Sequence, residues 1–344
     1  MAMNKLDRET RGKILHLLCE GSSIRAITRL TGASKNTVVR LLVDAGRACA
    51  EYQDRMLRNL TCQRVQVDEI WSFIYAKNDN VKRAKSAPVD AGDVWTWTAI
   101  DADTKLLVSW LVGSRDTDAA LHFMSDLKSR LSNRVQLTSD GHRPYLQAVD
   151  AVFGEDVDFA MLHKIYGAEP GGEKRYSPAI CIGSKKRKVT GNPDPKYVST
   201  SFAERANLTM RMHMRRFTRL TNGFSKKIEN HTAAVALHSM FYNFVRIHQT
   251  LKVTPAMAAG VTEKLWEISD VVGVIEAWEG EQAVAGITYE AEKNKIGEGY
   301  LVRITPRYSE PETVFGFPTL DEAKTYIEQE RASHKPGRRP KLTA

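Results

Sequence analysis

The stretch "RVQVDEIWSFIYAK", residues 64–77, marks the point where this chain changes from helical to extended sequence. Its polar and apolar side chains alternate, and it is rich in β-branched and aromatic residues, as expected of a β-strand. Two more stretches of this kind follow, "DVWTWTAIDADT" at 93–104 and "KLLVSWLVGS" at 105–114. Helical and extended patterns then alternate. Three hairpin-linked strands followed by alternating elements predict an α/β fold with a mixed sheet and helices on its faces.

The pattern after the third strand predicts helix, strand, helix, strand and helix in turn. Before the last of these helices, residues 167–198 form a basic stretch with "KKRK" at 185–188, which we expect to be irregular. Further helices are expected at about 230–247 and from Thr254 to about Asp270. Residues 284–330 predict a small α+β unit, because three short strand patterns precede a helical one.

Residues 7–45 have the pattern of three short helices. A glycine turn at Gly32 separates the second helix from the third, and Ser34 is placed to cap the third. A short helix, a glycine turn and a capped helix are together typical of the helix-turn-helix motif. On the third helix, outward polar side chains can contact base edges in a DNA major groove: Lys35, Asn36 and Arg40. The alternative is a plain three-helix bundle with a solvated face.

The composition favours a polyanionic partner and a reducing compartment. Among 344 residues, 50 are Lys or Arg and 41 are Asp or Glu, which gives a net charge of +9 that suits nucleic acid. The four cysteines are scattered without a C-x-x-C pair, so neither a zinc site nor a disulfide framework is predicted. No apolar run approaches the ~18 residues of a membrane span. With a polar amino-terminal stretch, this predicts a cytoplasmic protein without a membrane partner.

Three carboxylates fall where a mixed sheet can bring them together. Asp68 lies in the first predicted strand, Asp140 at the carboxyl end of the fourth, and Glu204 in the first turn of a later helix. Ligands of open α/β sheets collect beyond the carboxyl ends of strands. If the first and fourth strands are neighbours, the carboxylates meet and repel one another unless a hard divalent cation balances them. Glu69 follows Asp68 directly and is expected to face the opposite side of the strand.

The expected cofactor of such a group is Mg²⁺ or Mn²⁺, as two ions. Two ions about 3.5–4 Å apart can act on both the attacking and the leaving oxygen of a phosphodiester. Each carboxylate also has a simpler interpretation. Asp140, in "SDGHRPY", can be an ordinary turn aspartate. Glu204 can form a capping box with Ser201, three residues before it.

Arginines follow Glu204 on what we expect to be several faces of one helix. Because such a spread is unusual for a solvated face, phosphate contacts are favoured over a surface laced with salt bridges, although both interpretations stay open. The predicted DNA contacts of this region are Arg205, Arg211, Arg215 and Arg216.

Three blocks of this chain resemble the signature blocks of DDE transposases with an RNase H-like core. They are "VDEIWSF" at 67–73, "TSDGHRPY" at 138–145, and "ERANLTMR" at 204–211 with "GFSKK" at 223–227. Within that family the chain is most similar to the insertion-sequence-one type, whose third block begins with the same Glu-Arg-x-Asn-Leu sequence. The resemblance covers about residues 62–260.

This resemblance implies that Asp68, Asp140 and Glu204 are the catalytic, metal-binding triad. Arg211 lies seven residues after Glu204, where many related transposases carry a basic residue for the transposon end. The implied function is that of a DNA transposase of an insertion sequence. It would bind terminal inverted repeats in double-stranded DNA and catalyse metal-dependent phosphodiester hydrolysis and strand transfer into target DNA. A homo-oligomer is expected, because two DNA ends must be joined.

Two alternatives stay open: an inactive or domesticated helix-turn-helix regulator, and a structure-specific nuclease of the same fold. The predicted domains are a helix-turn-helix domain at 1–47, a helical connector at 48–61, an RNase H-like catalytic domain at 62–270 with the basic insertion 167–198, a small α+β unit at 271–330 and a basic tail at 331–344.

Overall fold

The computed structural model of the chain describes residues 6–167, 180–218, 221–285, 288–293, 298–305 and 312–333. The chain divides into two compact units, Met1–Val272 and Gly273–Ala344. The first unit contains a six-stranded mixed sheet flanked by helices, so the predicted α/β class is confirmed. Among the described residues, no helix combines the length and the hydropathy that a membrane span requires.

The first unit begins with three helices: α1 (Arg8–Cys19), α2 (Ile24–Thr31) and α3 (Lys35–Met56). Gly32 ends α2 in the left-handed conformation, with φ at 73°, which a glycine adopts without strain. Each helix begins at a side chain that accepts a backbone N–H three residues on, as the local sequence predicts. These capping residues are Asp7, Ser23 and Ser34.

Helix α3 continues past residue 47, where we expected the first domain to end. Apolar residues keep the helical spacing beyond that point, and Ala48 and Cys49 are fully buried. Gln53 is buried as well, and its side-chain amide donates to the backbone carbonyl of Ala236. The segment expected to connect two domains therefore packs within the first unit.

The sheet of the first unit has the strand order β3-β2-β1-β4-β5-β6. Strands β1, β4 and β5 run parallel, β2 pairs antiparallel with β1 and β3, and β6 pairs antiparallel with β5. The strands are β1 (Arg64–Ile74), β2 (Gly92–Asp101), β3 (Leu107–Gly113), β4 (Gln136–Asp140), β5 (Asp158–Gly167) and β6 (Ile180–Thr190).

The sixth strand corrects the expectation that 167–198 is irregular. Residues 180–190 form an edge strand that carries the "KKRK" sequence, whereas 168–179 lie outside the described residues. None of the side chains from 181 to 190 is buried. An edge strand held by backbone hydrogen bonds needs no apolar face, so the alternation that reveals a half-buried strand is absent.

Helices pack on both faces of the sheet. Ile70 of β1 packs with Met210 on one face. On the other face, the ring centroid of Trp97 lies 5.8 Å from that of Phe123 and 5.4 Å from that of Tyr145. The next helices along the chain are α4 (Asn78–Val81), α5 (Thr117–Arg130), α6 (Pro144–Phe153), α7 (Ser201–His213), α8 (Ile228–Met240), α9 (Pro255–Ala258) and α10 (Ile268–Ala285).

Two helix predictions are wrong at their ends. The α-helical part of α8 ends at Met240, and a single π-helical turn, Phe241–Val245, follows it. The helix expected from Thr254 to about Asp270 is the single turn α9, after which Gly260 adopts a φ of 69°. Since a left-handed residue ends a helix, the chain leaves the helical path there and resumes it only at α10.

In the second unit, which begins within α10, a three-stranded antiparallel sheet and a further helix lie at the places where the sequence patterns predicted them. A small core of Tyr289, Val302, Ala323 and Ile327 holds them together. Most of the predicted basic tail lies outside the described residues. The elements are β7 (Thr288–Lys293), β8 (Tyr300–Thr305), β9 (Glu312–Phe317) and α11 (Leu320–Ser333).

Candidate metal centre and its basic surroundings

Two of the predicted metal ligands meet because β1 and β4 are parallel neighbours. Gln66 pairs with Thr138, and each strand places a carboxylate two residues further on, at Asp68 and Asp140. Carboxylate oxygens of these two residues and of Glu69 all lie within 4.8 Å of one another. The parallel pairing of residues 72 positions apart in the chain is thus what forms the group.

Glu69 is the member of this group that sequence reasoning excluded. Strand alternation does hold, since Asp68 accepts a hydrogen bond from Asn207 of α7, whereas Glu69 points to the other face and pairs with Arg115 at 3.0 Å. Glu69 therefore faces the side that was expected, but the inference that only one of the two residues can approach Asp140 is not met, because oxygens of both lie within 4.8 Å of that carboxylate at the end of β4. Two consecutive acidic residues in a strand are the signal that was available.

The Glu69 carboxylate is almost completely enclosed, with 1% of the side chain exposed. Its Oε2 atom accepts from Arg115, and the buried hydroxyl of Tyr145 lies next to the same carboxylate, where it favours the charged form. Two donors thus face Glu69, and what they leave uncompensated is the repulsion from Asp140 and Asp68.

Burial and mutual repulsion disfavour the charged forms of these groups. Burial, followed by the charge of Asp140, raises the pKa of Asp68 to about 6. The same two causes raise the pKa of Glu69 to about 7. Carboxylates crowded in a region of low dielectric constant are the donor set that hard divalent cations such as Mg²⁺ and Mn²⁺ prefer. The residues present therefore fit such an ion.

Glu204 does not form the capping box that its spacing from Ser201 suggested. Ser201 is the first residue of α7 and not its cap, and Thr200 precedes it without a side-chain capping bond. The N–H groups of Phe202 and Ala203 instead donate to Oε1 of Gln66, at 2.8 and 3.2 Å. A side chain of β1 thus caps α7 from a distance in sequence that no local pattern reveals.

The Glu204 carboxylate is held at both oxygens. Oε1 accepts from the hydroxyl of Thr200 at 2.5 Å, and Oε2 lies 2.5 Å from Nζ of Lys164 on β5. Its negative charge contributes to the raised pKa of Asp68. Glu204 is not within the 4.8 Å group, but it borders the same space as Asp68 and Glu69.

That space, which we call the carboxylate cavity, is open and has a volume of about 420 Å³. Asn207, one turn after Glu204, connects it to the sheet: its amide donates to Asp68 at 2.9 Å, and its carbonyl oxygen accepts from the hydroxyl of Thr98. The cavity is lined by Asp68, Glu69, Ser201, Glu204, Arg205, Asn207, Leu208 and Arg211.

The four arginines predicted to contact DNA divide between two surfaces. Arg205 and Arg211 line the carboxylate cavity. The sequence predicted Arg215 and Arg216 on the same helix as Arg205 and Arg211. They lie beyond it, because α7 ends at His213 and a 3-10 turn follows. They line a second, larger cavity of about 1070 Å³.

The second cavity is also lined by the residues of α3 that were predicted to contact DNA bases. Lys35, Asn36 and Arg40 are all exposed and line it. We call this space the basic groove. Its walls are α2 and α3 on one side and, on the other, residues 214–216 and 222–230, the latter leading into α8.

Comparisons with known proteins find similarity among solved structures, of which 26 chains match. No protein-family model and no curated protein matches the sequence. Among solved structures, the cryo-EM structure of the piggyBac transposase synaptic complex with hairpin DNA is similar to this chain with a TM-score of 0.35 and 9% identity. The match covers 78% of this chain and 70% of that one.

Proposed function

We propose that this protein is a metal-dependent DNA transposase of the DDE type, with an RNase H-like core and an insertion sequence as its element. The observation that carries the proposal is the group of carboxylates at the junction of β1 and β4, with Glu204 beside it and arginines at its border. Three carboxylates this close repel one another unless cations lie between them, so a purely structural role does not account for the group.

Asp68, Glu69 and Asp140 are the residues that would hold a divalent cation, with Glu204 next to them as a further ligand. The closeness of the carboxylate oxygens of the first three, all within 4.8 Å of one another, supports this assignment. When bound, Mg²⁺ or Mn²⁺ supplies Lewis-acid stabilisation of the charge that develops in phosphodiester hydrolysis and strand transfer. Two ions are part of the proposal, because four carboxylates are available to them.

The neighbouring side chains orient these ligands and the substrate. The amide of Asn207 holds one oxygen of Asp68, and the guanidinium of Arg115 holds one oxygen of Glu69. Such contacts fix the direction of a ligand and leave its other oxygen for the ion. Arg205 and Arg211 border the cavity, where a guanidinium can bind a phosphate next to the bond to be cut.

Helices α2 and α3 support binding to double-stranded DNA. A helix-turn-helix motif consists of a short helix, a glycine turn and a capped helix, which correspond here to α2, the left-handed Gly32 and the serine-capped α3. The exposed Asn36 and Arg40 can make bidentate contacts with base edges, which would select the terminal inverted repeats. A homo-oligomer belongs to the proposal because two DNA ends must be brought together.

The test is a cleavage assay on the DNA that flanks the coding sequence. Labelled fragments carrying that DNA are incubated with the protein in Mg²⁺, in Mn²⁺ or in EDTA. We expect nicks at the element ends and joining to a second DNA, only with a divalent ion. Asp68→Asn and Glu204→Gln should abolish both reactions while fragment binding persists, because each removes a charge but keeps the side-chain shape.

Two other outcomes would replace the proposal. Binding without any nick in either ion would make the protein a helix-turn-helix regulator. Cleavage of branched or hybrid substrates, without dependence on the flanking sequence, would make it a structure-specific nuclease. Both distinctions come from one set of reactions, with a scrambled fragment of the same length as the matched control.

A further inference from the structure

The basic groove carries charge on both of its walls. Lys35 and Arg40 lie on the wall formed by α3, and Arg215, Lys226 and Lys227 lie on the opposite wall, all exposed. Two carboxylates border the groove, Asp44 and Glu229, and Glu229 is paired with Arg47 at 2.5 Å. The groove is therefore strongly cationic, and it is distinct from the carboxylate cavity.

Arg216 lines this groove, and its guanidinium contacts a hydrogen-bonded series of neutral side chains. Its Nη1 atom donates to the hydroxyl of Ser225 at 3.0 Å, and no carboxylate among the described residues forms an ion pair with it. The Ser225 hydroxyl lies 2.9 Å from Nδ1 of His231, whose Nε2 atom is 3.3 Å from the hydroxyl of Ser72. Burial, helped by the charge of Arg216, lowers the pKa of His231 to about 3, so this histidine is neutral.

A guanidinium in this position is poorly compensated. Burial lowers the pKa of Arg216 to about 10, and Arg216 still carries its charge at neutral pH. A desolvated cation without a carboxylate partner costs free energy, which the binding of an anion offsets. The guanidinium fork matches the oxygen geometry of a phosphate, and Arg215 and Lys226 lie on the same wall.

We propose that Arg216 anchors a phosphate-binding subsite in the basic groove, which takes the sugar–phosphate backbone of duplex DNA without a metal ion. The inference rests on the proposed function in one respect only, the choice of DNA as the polyanion. Cations on two facing walls suit a chain of phosphates better than a single small anion. The same groove contains the exposed face of α3, so a strand bound there would position the duplex for base contacts by Asn36 and Arg40.

The decisive variant is Arg216→Met, because it separates a binding role from a structural one. Methionine fills much of the same space without the buried charge. If Arg216 is an anion site, the variant melts at or above the temperature of the parent, since an uncompensated buried charge is gone. Its affinity for duplex DNA should fall about tenfold, and the slope of log K against log salt should flatten by about one.

Fluorescence anisotropy in EDTA measures both quantities, with a random-sequence duplex and with a single strand of the same length. Lys226→Ala with Lys227→Ala is a second variant at exposed positions, which should flatten the slope by about two. Lys324→Ala, at an exposed position of α11, is the control and should change nothing. Three results would each overturn the proposal. The first is a lower melting temperature for Arg216→Met together with an unchanged salt slope. The others are an unchanged slope in the double variant and binding of the single strand alone.

This experiment and the cleavage assay fail independently. The binding assay is run in EDTA, so it needs no divalent ion in the carboxylate cavity, and none of the groove variants changes a residue that lines that cavity. If the parent protein cuts element ends while the groove variants bind normally, the groove proposal fails alone. If groove binding is found and no divalent ion ever supports cleavage, the transposase proposal fails alone.

Discussion

The ammonium group of Lys164 on β5 lies 2.5 Å from a carboxylate oxygen of Glu204 on α7. The other oxygen of Glu204 accepts from Thr200, so both are engaged. Lys164 also adds its positive charge next to Asp68. The lysine thus provides the positive charge that Glu204 would otherwise obtain from a divalent cation, and the two compete for the same carboxylate.

Lys164→Met should therefore tighten the binding of Mn²⁺ to the carboxylate cavity. The side chains of Lys164 and Glu204 are 29% and 40% exposed, so their pairing is worth at most about 1 kcal/mol, and we expect a gain in affinity of up to about fivefold. Titration calorimetry at constant pH measures it. Lys185→Met, at an exposed position of β6, is the matched control. Equal affinity of both variants and the parent would mean that Lys164 and Glu204 form only a surface ion pair.

Glu69→Gln tests whether Glu69 belongs to the metal site. A ligand that binds only the folded protein stabilises it by about 2.7 kcal/mol at one hundred times its dissociation constant. We expect Mn²⁺ to raise the melting temperature of the parent and to do so far less in the variant, because the amide supplies no charge. Glu328→Gln, at an exposed position of α11, should respond as the parent does. A full response of Glu69→Gln would remove Glu69 from the group of ligands.

In EDTA, the stability that the parent has relative to the double variant Asp68→Asn with Glu69→Gln should fall as the pH rises from about 4 to about 7. The pKa values of Asp68 and Glu69 are raised to about 6 and about 7, so the folded state binds more protons than the unfolded one in this range. The effect is of order 3 kcal/mol for each group, from ~1.4 kcal/mol per pKa unit. Urea unfolding at several pH values measures it.

The double variant Asp68→Asn with Glu69→Gln is the control for this pH dependence. It lacks both carboxylates but keeps the buried His231 and His238, whose pKa values are lowered to about 3 and whose contribution to stability rises with pH in both proteins. The difference between the two curves isolates the carboxylates, and the variant should be the more stable of the two at pH 7. A difference that does not change between pH 4 and pH 7 would show that these carboxylates are not desolvated in the folded protein.

Gln66, and not Ser201, should prove to be the residue that stabilises the start of α7. Gln66→Met removes the acceptor of two backbone N–H groups at a buried position, so we expect a loss of about 1–3 kcal/mol. Ser201→Ala should stay within a few tenths of 1 kcal/mol, because it removes no capping bond. Chemical denaturation of both variants decides between them: a loss of about 1 kcal/mol in Ser201→Ala alone would restore the capping box.

Local sequence determined most of the elements of this protein. The caps at Ser23 and Ser34, the turn at Gly32 and the alternation along β1 depend on residues within a few positions of one another, so they can be recognised without the rest of the chain. The same holds for the small unit that contains α11. Edge strand β6 escaped because its contacts are made by the backbone, which leaves no trace in side-chain polarity.

The site depended on the tertiary structure. Asp68 could be named from its place in the first predicted strand and Asp140 from its place at the end of the fourth, but only the β1–β4 pairing brings them together and admits Glu69 from the other face. The capping of α7 by Gln66 and the assignment of Arg216 to a separate groove were likewise beyond the sequence. The physical reason is range: periodicity and capping act along the chain, whereas charges and hydrogen bonds act through space between segments that only the fold makes neighbours.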